Sequence, residues 1–420
     1  MNQFQTIQRI LLLMTGVSLL WTSCSPLPQG PTAADILGNP NYQAISYGGY
    51  RTTSRDTVPS VDQIKDDMRI LSAIDVKILR TYNTELAELP NLLQAITELK
   101  QEDSSFEMYV MVGAWINCKD AWTDHPDHTQ EDEAYNEAEV QRAVQYAKQY
   151  PDIIKMIAVG NEAMVHWATS YFVPPSVILK WVNYLQDLKN KGDLPSDLWI
   201  TSSDDFAAWG GASDNYHTED LNRLIAAVDF ISMHTYAFHN SHYSPDYWYS
   251  RDPSLSKIEQ IDASMQRAGE FAAGQYNDVK QYILSLGIDK PIHIGETGWA
   301  TASNGFYGAE GSQAADEYKA KKYYDYLRKW SNENSVSCFY FEAFDEPWKD
   351  AENPMGSENH FGLFTVDGKA KYALWSSVDK GIFSGMTRNG NTIEKTFKAN
   401  ENKLLASVLP PLAPKKDINK

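Results

Sequence analysis

Cysteine is scarce in this chain: three stand among 420 residues, at positions 24, 118 and 338. Cys118 and Cys338, the two in the body of the sequence, make no disulfide framework, and a single bridge between them stays open on sequence alone. Cys338 sits in an apolar run, where a thiol behaves as a small hydrophobe. No Cys/His pair has zinc-ligand spacing. The cluster Asp124, His125, Asp127 and His128 matches no metal pattern and reads as a solvated acidic loop, so neither metal nor cofactor is expected. Positive charge is also short. Lys plus Arg number 37 against 55 Asp plus Glu, a formal charge of −18. A surface that acidic repels phosphate backbones, which excludes nucleic acid as a partner. Beyond residue 24 no apolar run is long enough to span a bilayer, and no internal repeat or low-complexity block occurs. Apolar and aromatic mass is plentiful. Hydrophobic residues make up 43% and charged residues 22%, which excludes a disordered chain, a coiled coil and a collagen-like repeat. The 12 Trp and 24 Tyr suit the C–H faces of sugars, and equally suit a large core; composition does not choose between them.

The first segment reads as an address. Arg9 is the only charged side chain before Cys24, and the apolar run 10–21 fits a signal-peptide core rather than a membrane span. Thr22-Ser23-Cys24 resembles a bacterial lipoprotein signal, in which residues 1–23 are removed and Cys24 is lipidated. Trp21 departs from the usual aliphatic residue of such signals, which keeps ordinary secretory cleavage open. The Pro-rich start of residues 24–42 predicts a tether. Ser25, with no acidic residue just after the cysteine, points to an outer-membrane anchor on the periplasmic face rather than the cell surface. Contact with a membrane is expected through this anchor alone, and the protein is expected to be a monomer.

Past the tether, apolar strand-like runs alternate with amphipathic helical stretches. The runs are 43–50, 76–82, 106–115, 153–161, 198–203, 229–236, 291–296 and 336–341. Helical spacing appears at 61–74, 89–99, 137–149, 176–188 and 315–330, and a helix or broken helix is expected over 256–286. Strand-helix alternation means parallel strands with helical crossovers, and eight such units predict an α/β fold, a single (β/α)8 TIM barrel. The catalytic domain is set at 43–375, followed by a polar tail, 376–420, part of which is expected to order against the barrel.

In such a barrel, chemistry gathers where the strands end. Two carboxylates stand there. Asn161-Glu162 closes the fourth strand and Glu296 the seventh, each after a small residue, Gly160 and Gly295. A charge ending an apolar strand is costly unless it is paired or used. Two carboxylates facing each other across a cleft are what retaining glycoside cleavage requires: one protonated to donate to the leaving oxygen, one ionised to attack the anomeric carbon. The competing reading, two glutamates tied into structural ion pairs, is credible for one such residue and weak for two.

Val159-Gly160-Asn161-Glu162, Gly295-Glu296-Thr297-Gly298-Trp299 and Phe341-Glu342-Ala343-Phe344-Asp345-Glu346-Pro347-Trp348-Lys349, with the opening Ile45-Ser46-Tyr47-Gly48, resemble glycoside hydrolase family 17. The resemblance implies β-1,3-glucan hydrolysis or glucanosyl transfer, with Glu162 as general acid/base and Glu296 as nucleophile. It also implies that Glu346 and Lys349 contact sugar or brace the acid/base. Asn161 can donate to the sugar 2-OH. Tyr236 can donate to Glu296 and keep it ionised. His234 reads as a packed barrel histidine, and Glu342 as a brace. Tyr47, Trp115, Trp299 and Trp348, at or after strand ends, are each candidates for sugar stacking or for core. The aromatics Tyr243, Tyr247, Trp248 and Tyr249 line one end of the cleft or pin down a long loop. Two readings from other classes compete: a glycan-binding lipoprotein on an inactive barrel, and a metal-dependent barrel hydrolase.

Overall fold

The computed structural model describes residues 30–412, apart from 250, 251 and 253. The segment read as a signal peptide and Cys24, the expected lipidation site, lie outside the described residues. Eight parallel strands close a barrel in chain order: β1 (Gln43–Ser46), β2 (Val76–Arg80), β3 (Tyr109–Ala114), β4 (Ile154–Asn161), β5 (Trp199–Asp205), β6 (Ile231–His234), β7 (Ile292–Gly298) and β8 (Cys338–Phe341). Helices α1 (Val61–Ser72), α2 (Glu88–Glu102), α3 (Glu133–Gln149), α4 (Pro175–Lys191), α5 (Glu219–Ala227), α6 (Lys257–Ser285) and α7 (Glu317–Glu333) form the outer ring, and α8 (Trp375–Asp379) follows β8. This is the (β/α)8 barrel read from the sequence. Local chemistry sets the element ends. Ser60 and Gln63 form a capping box at the start of α1, Ser256 and Glu259 do so for α6, and Gly192 ends α4 at φ 78°.

Three features differ from the sequence reading. α5 was not anticipated; it is nine residues long and carries only three buried apolar residues, Leu221, Leu224 and Ile225. The segment 24–42 is not a tether throughout. Thr32 and Asp35 form a capping box around a single helical turn, Ala33–Ile36. Ala33, Ile36 and Leu37 then pack with Ala44, Ile78, Met111, Met156, Ala158 and Phe339 of the strands. Three apolar side chains gain more from this burial than the short turn loses in entropy.

The tail boundary also moves. Residues 376–412 are folded onto the barrel, with a two-stranded hairpin, Thr387–Arg388 with Asn391–Thr392, and a last helix, Glu401–Ser407. Arg388 is buried and donates from Nε to Asp67 Oδ1 of α1 at 2.8 Å. Asp67 is fully buried and also accepts from Arg51, at 2.9 Å, and from Tyr47, at 3.0 Å. The tail thus supplies a counter-charge that a domain ending at 375 would lack. Cys118 and Cys338 are free and buried. Among the described residues, no helix is long and apolar enough to cross a membrane.

Candidate active site

The C-terminal ends of the strands surround an open cleft of about 1390 Å³. Its floor is made where β4 stops being a regular strand. Gly160 has φ +80° and Glu162 has φ +48°, and the β4–β5 register shifts between Ala158 and Asn161. Glycine accepts that backbone without strain; Glu162 is held in it by donating its N–H to Ser203 O at 3.0 Å. The break turns Asn161 and Glu162 into the barrel mouth. On β7, Gly295 makes room of another kind. A Cβ there would lie 2.1 Å from Ser232 Oγ and 2.5 Å from Ser203 Oγ.

Glu296 accepts from Tyr236 Oη at 2.7 Å and forms a close ion pair with Arg80. Arg80 also donates to Gly295 O at 3.1 Å and to Asn161 Oδ1 at 2.6 Å. That second bond fixes the Asn161 amide, because a guanidinium only donates, and leaves its NH2 free on the cleft side. Glu162 Oε1 lies 2.8 Å from His234 Nδ1, and the same nitrogen is 3.7 Å from Glu296 Oε2. His234 Nε2 meets Ser203 Oγ at 2.7 Å, and Ser203 Oγ meets Ser232 Oγ at 2.8 Å. Oxygens of Glu162 and Glu296 approach within 4.8 Å, the spacing of retaining rather than inverting carboxyl pairs, which stand about 5–5.5 Å and 6.5–9.5 Å apart respectively.

The two carboxyls sit in opposite electrostatic environments. Burial, and then the charge of Glu296, push Glu162 up to about 8. Burial pushes Glu296 the same way, but His234, Arg80 and the Tyr236 hydrogen bond outweigh it and bring it down to about 2. Burial lowers His234 itself to about 4, so at neutral pH the ring is uncharged and Arg80 is the lasting cation. The neutral ring has a consequence for proton placement. When Glu162 is protonated it donates to Nδ1, and Nε2–H donates to Ser203. When Glu162 is ionised, Nδ1–H donates to it and Nε2 accepts from Ser203. Either state of Glu162 is therefore hydrogen-bonded.

A second group closes one side of the cleft. Lys349 Nζ lies 3.0 Å from Glu342 Oε2 and 3.1 Å from Glu346 Oε2, and Trp348 Nε1 donates to Glu346 Oε1 at 2.9 Å. Glu346 presses on Gly48, where a Cβ would sit 2.0 Å from Oε1. Glu88 accepts from Gly49 N–H beside it, and burial, then the Glu346 charge, raise it to about 8.

The structure therefore brings together Glu162, Glu296, Asn161, Tyr236, Glu346, Trp348 and Lys349. Two stacking candidates fall away. Trp299 is fully buried, donates to Ala314 O at 2.8 Å and packs on Phe238, Trp248 and Tyr323. It stands three positions past Glu296, and strand alternation points it into the helix layer. Tyr47 reaches the cleft wall, but its ring is buried and its hydroxyl is spent on Asp67 of α1. The long loop after β6 is pinned by Tyr247, stacked on Phe271, and by the buried Trp248; Tyr243 stays 66% exposed on the cleft.

Arg80 was missed, as was the contact of His234 with Glu162. Arg80 carried a readable signal, a charge closing the apolar strand Val76–Arg80, the same feature that exposed the two glutamates. Among the described residues, the one group whose ligand atoms could surround a metal is Glu162, His234 and Glu296. Both ring nitrogens there are already hydrogen-bonded, and the Arg80 guanidinium sits against Glu296, so a divalent cation would meet a fixed positive charge.

The chain matches the BtgE/BtgC glycoside hydrolase domain over residues 44–362. It is similar to a solved structure of an endo-laminarinase from Formosa Hel1_33_131, with 61% identity and a TM-score of 0.90 over 93% of this chain and all of that one. A glycoside hydrolase family 17 β-1,3-glucanosyltransferase from Rhizomucor miehei shares the fold, at 18% identity and a TM-score of 0.53 over 84% of this chain and 98% of that one. A probable glucan endo-1,3-beta-glucosidase btgC of Aspergillus clavatus is 25% identical over 325 residues, 75% of this chain and 39% of its own length. The chain spans about two fifths of the length of the curated relatives it matches.

Proposed function

The chain belongs to the BtgE/BtgC glycoside hydrolase domain family, and on that footing we propose that it is an exported, endo-acting glycosidase that hydrolyses β-1,3-glucan with retention of configuration. The observation that carries this reading is the carboxyl pair: Glu162 held protonated and Glu296 held ionised, within 4.8 Å, at the floor of a cleft. In the first step a Glu296 oxygen attacks the anomeric carbon. The glycosidic C–O bond breaks, its electron pair goes to the leaving oxygen, and the Glu162 proton follows it. Glu162, now ionised, accepts a proton from water; the hydroxide oxygen bonds to the anomeric carbon as the Glu296 ester bond breaks, and the β-anomer is regenerated. Arg80 and Tyr236 keep the nucleophile ionised, and the free Asn161 amide donates to the 2-OH as charge develops on the ring. The likeness to an endo-laminarinase at 61% identity favours water over a sugar as the acceptor.

The test is the product profile on a series of linear β-1,3-glucan oligosaccharides, read by mass and by anomeric NMR. Shorter products released first as the β-anomer are expected. Products longer than the substrate would make the chain a glucanosyltransferase, α-anomers would overturn retention, and no cleavage would overturn the function. For location, Thr22-Ser23-Cys24 supports a lipid anchor, and Ser25, with no acidic residue just after the cysteine, supports the periplasmic face of the outer membrane. Cys24→Ala is expected to move the protein from the membrane pellet to the soluble fraction or to block processing. Wild-type protein already soluble, or shaved from intact cells by protease, would overturn that placement.

A further inference from the structure

One stretch of cleft wall makes no bond to the catalytic pair. After β3 the chain forms a two-stranded hairpin, Cys118–Lys119 with Asp127–Glu131, and Trp122 lies in the connecting turn. Its φ is +64°, and that of Asp120 is +55°, a left-handed backbone that bulky side chains avoid. The turn is held by Trp122 N–H donating to Ser170 O at 2.9 Å and by Thr123 Oγ1 donating to Asp120 O at 2.6 Å. The outcome is an indole 61% exposed to solvent but firmly backed. Tyr171, from the β4 loop, stacks under it at 4.8 Å and 23°, and Trp115 flanks both rings, at 6.2 Å from Trp122 and 5.2 Å from Tyr171. Loops from two adjacent strands thus hold up a three-ring terrace whose uppermost ring presents a free face, and both tryptophans line the cleft. Strain of this kind persists where the surroundings impose it, and is concentrated where ligands are gripped. A large aromatic ring bare on a cleft wall fits a flat, uncharged partner with C–H groups on its face, which is the face a glucosyl ring offers.

The geometry points to Trp122 as a stacking platform for a glucosyl unit remote from the scissile bond, which sets a preference for long linear β-1,3-glucan chains over short oligosaccharides. This rests on the reading of the cleft as a β-1,3-glucan site. Trp122 stands eight positions beyond the end of β3 and has no contact with Glu162, Glu296, Arg80 or His234 among the hydrogen bonds and ion pairs of the site, so it acts on binding of the distal chain and not on the chemical step.

Wild type, Trp122→Ala and Trp122→Phe are to be compared on laminaritriose and on a long linear β-1,3-glucan, with kcat and KM separated. Trp122→Ala is expected to raise KM for the long chain about tenfold, to change KM for the trisaccharide less than about twofold, and Trp122→Phe to recover most of the loss. The trisaccharide rate reports that the site is folded. Equal KM changes on both substrates, or none on either, would overturn the platform. Binding of the long glucan by tryptophan fluorescence separates the two readings. A wild type that binds it through Trp122 but cleaves nothing keeps the platform and overturns the hydrolase; one that neither binds nor cleaves overturns both.

Discussion

Glu296→Ala is expected to lower turnover on unactivated glucan by at least about 10⁴-fold, because no covalent intermediate can form without the attacking carboxylate. The site around the gap should persist. Arg80 keeps Gly295 O and Asn161 Oδ1 as acceptors, although its buried charge loses its counter-ion, which costs on the order of 3–5 kcal/mol of stability. Glu296→Gln keeps its amide oxygen as an acceptor for Arg80 and turns its NH2 to the Tyr236 hydroxyl, which then accepts, and it is expected to lose comparable activity with a smaller fall in melting temperature. Azide is the diagnostic. The cavity left by the alanine faces a guanidinium, so the small anion is drawn to the vacated position and attacks from the face opposite the leaving group, giving an α-glucosyl azide. Formation of the β-azide by this variant would reverse the roles assigned to Glu162 and Glu296.

Glu162→Ala is expected to cost about 10²–10⁴-fold on an unactivated glucan and far less on a substrate whose leaving group needs no proton. Here azide attacks the glycosyl-enzyme from the face that water would use, giving a β-glucosyl azide. The pH profile should change with it. In wild type the acid must be protonated while the nucleophile is ionised. Glu162 is raised to about 8, so activity is lost on the alkaline side as pH passes that value; Glu296 is lowered to about 2, so the acid limb lies far below neutrality. The variant on an activated substrate should lose the alkaline limb. An alkaline limb that survives in Glu162→Ala would mean that another group carries the proton.

His234 shows why such a site resists reading from sequence. It was legible as a barrel histidine, and it is one: fully buried and bonded to Ser203. Its other nitrogen touching Glu162 depends on a partner 72 positions away, brought there by barrel closure and by the backbone break at Gly160. Trp299 and Tyr47 show the opposite error. Trp299 follows the strand that carries Glu296 and turns into the helix layer, because the side-chain period along a strand decides the face; Tyr47 reaches the cleft wall, but its ring is buried and its hydroxyl is held by Asp67.

The sequence by itself determined the barrel, through eight apolar runs alternating with helical spacing, and it determined the two glutamates, because a charge ending an apolar strand is a local anomaly visible without coordinates. The tertiary structure alone decided how those charges are tuned. Arg80 reaches Glu296 across 216 positions, and Arg388 reaches Asp67 across 321. It alone decided that residues 33–37 close the barrel floor and that residues 376–412 belong to the domain. Periodicity and capping are properties of neighbours along the chain. A pKa, a buried ion pair and a free aromatic face are properties of neighbours in space, and those exist only once the barrel has closed.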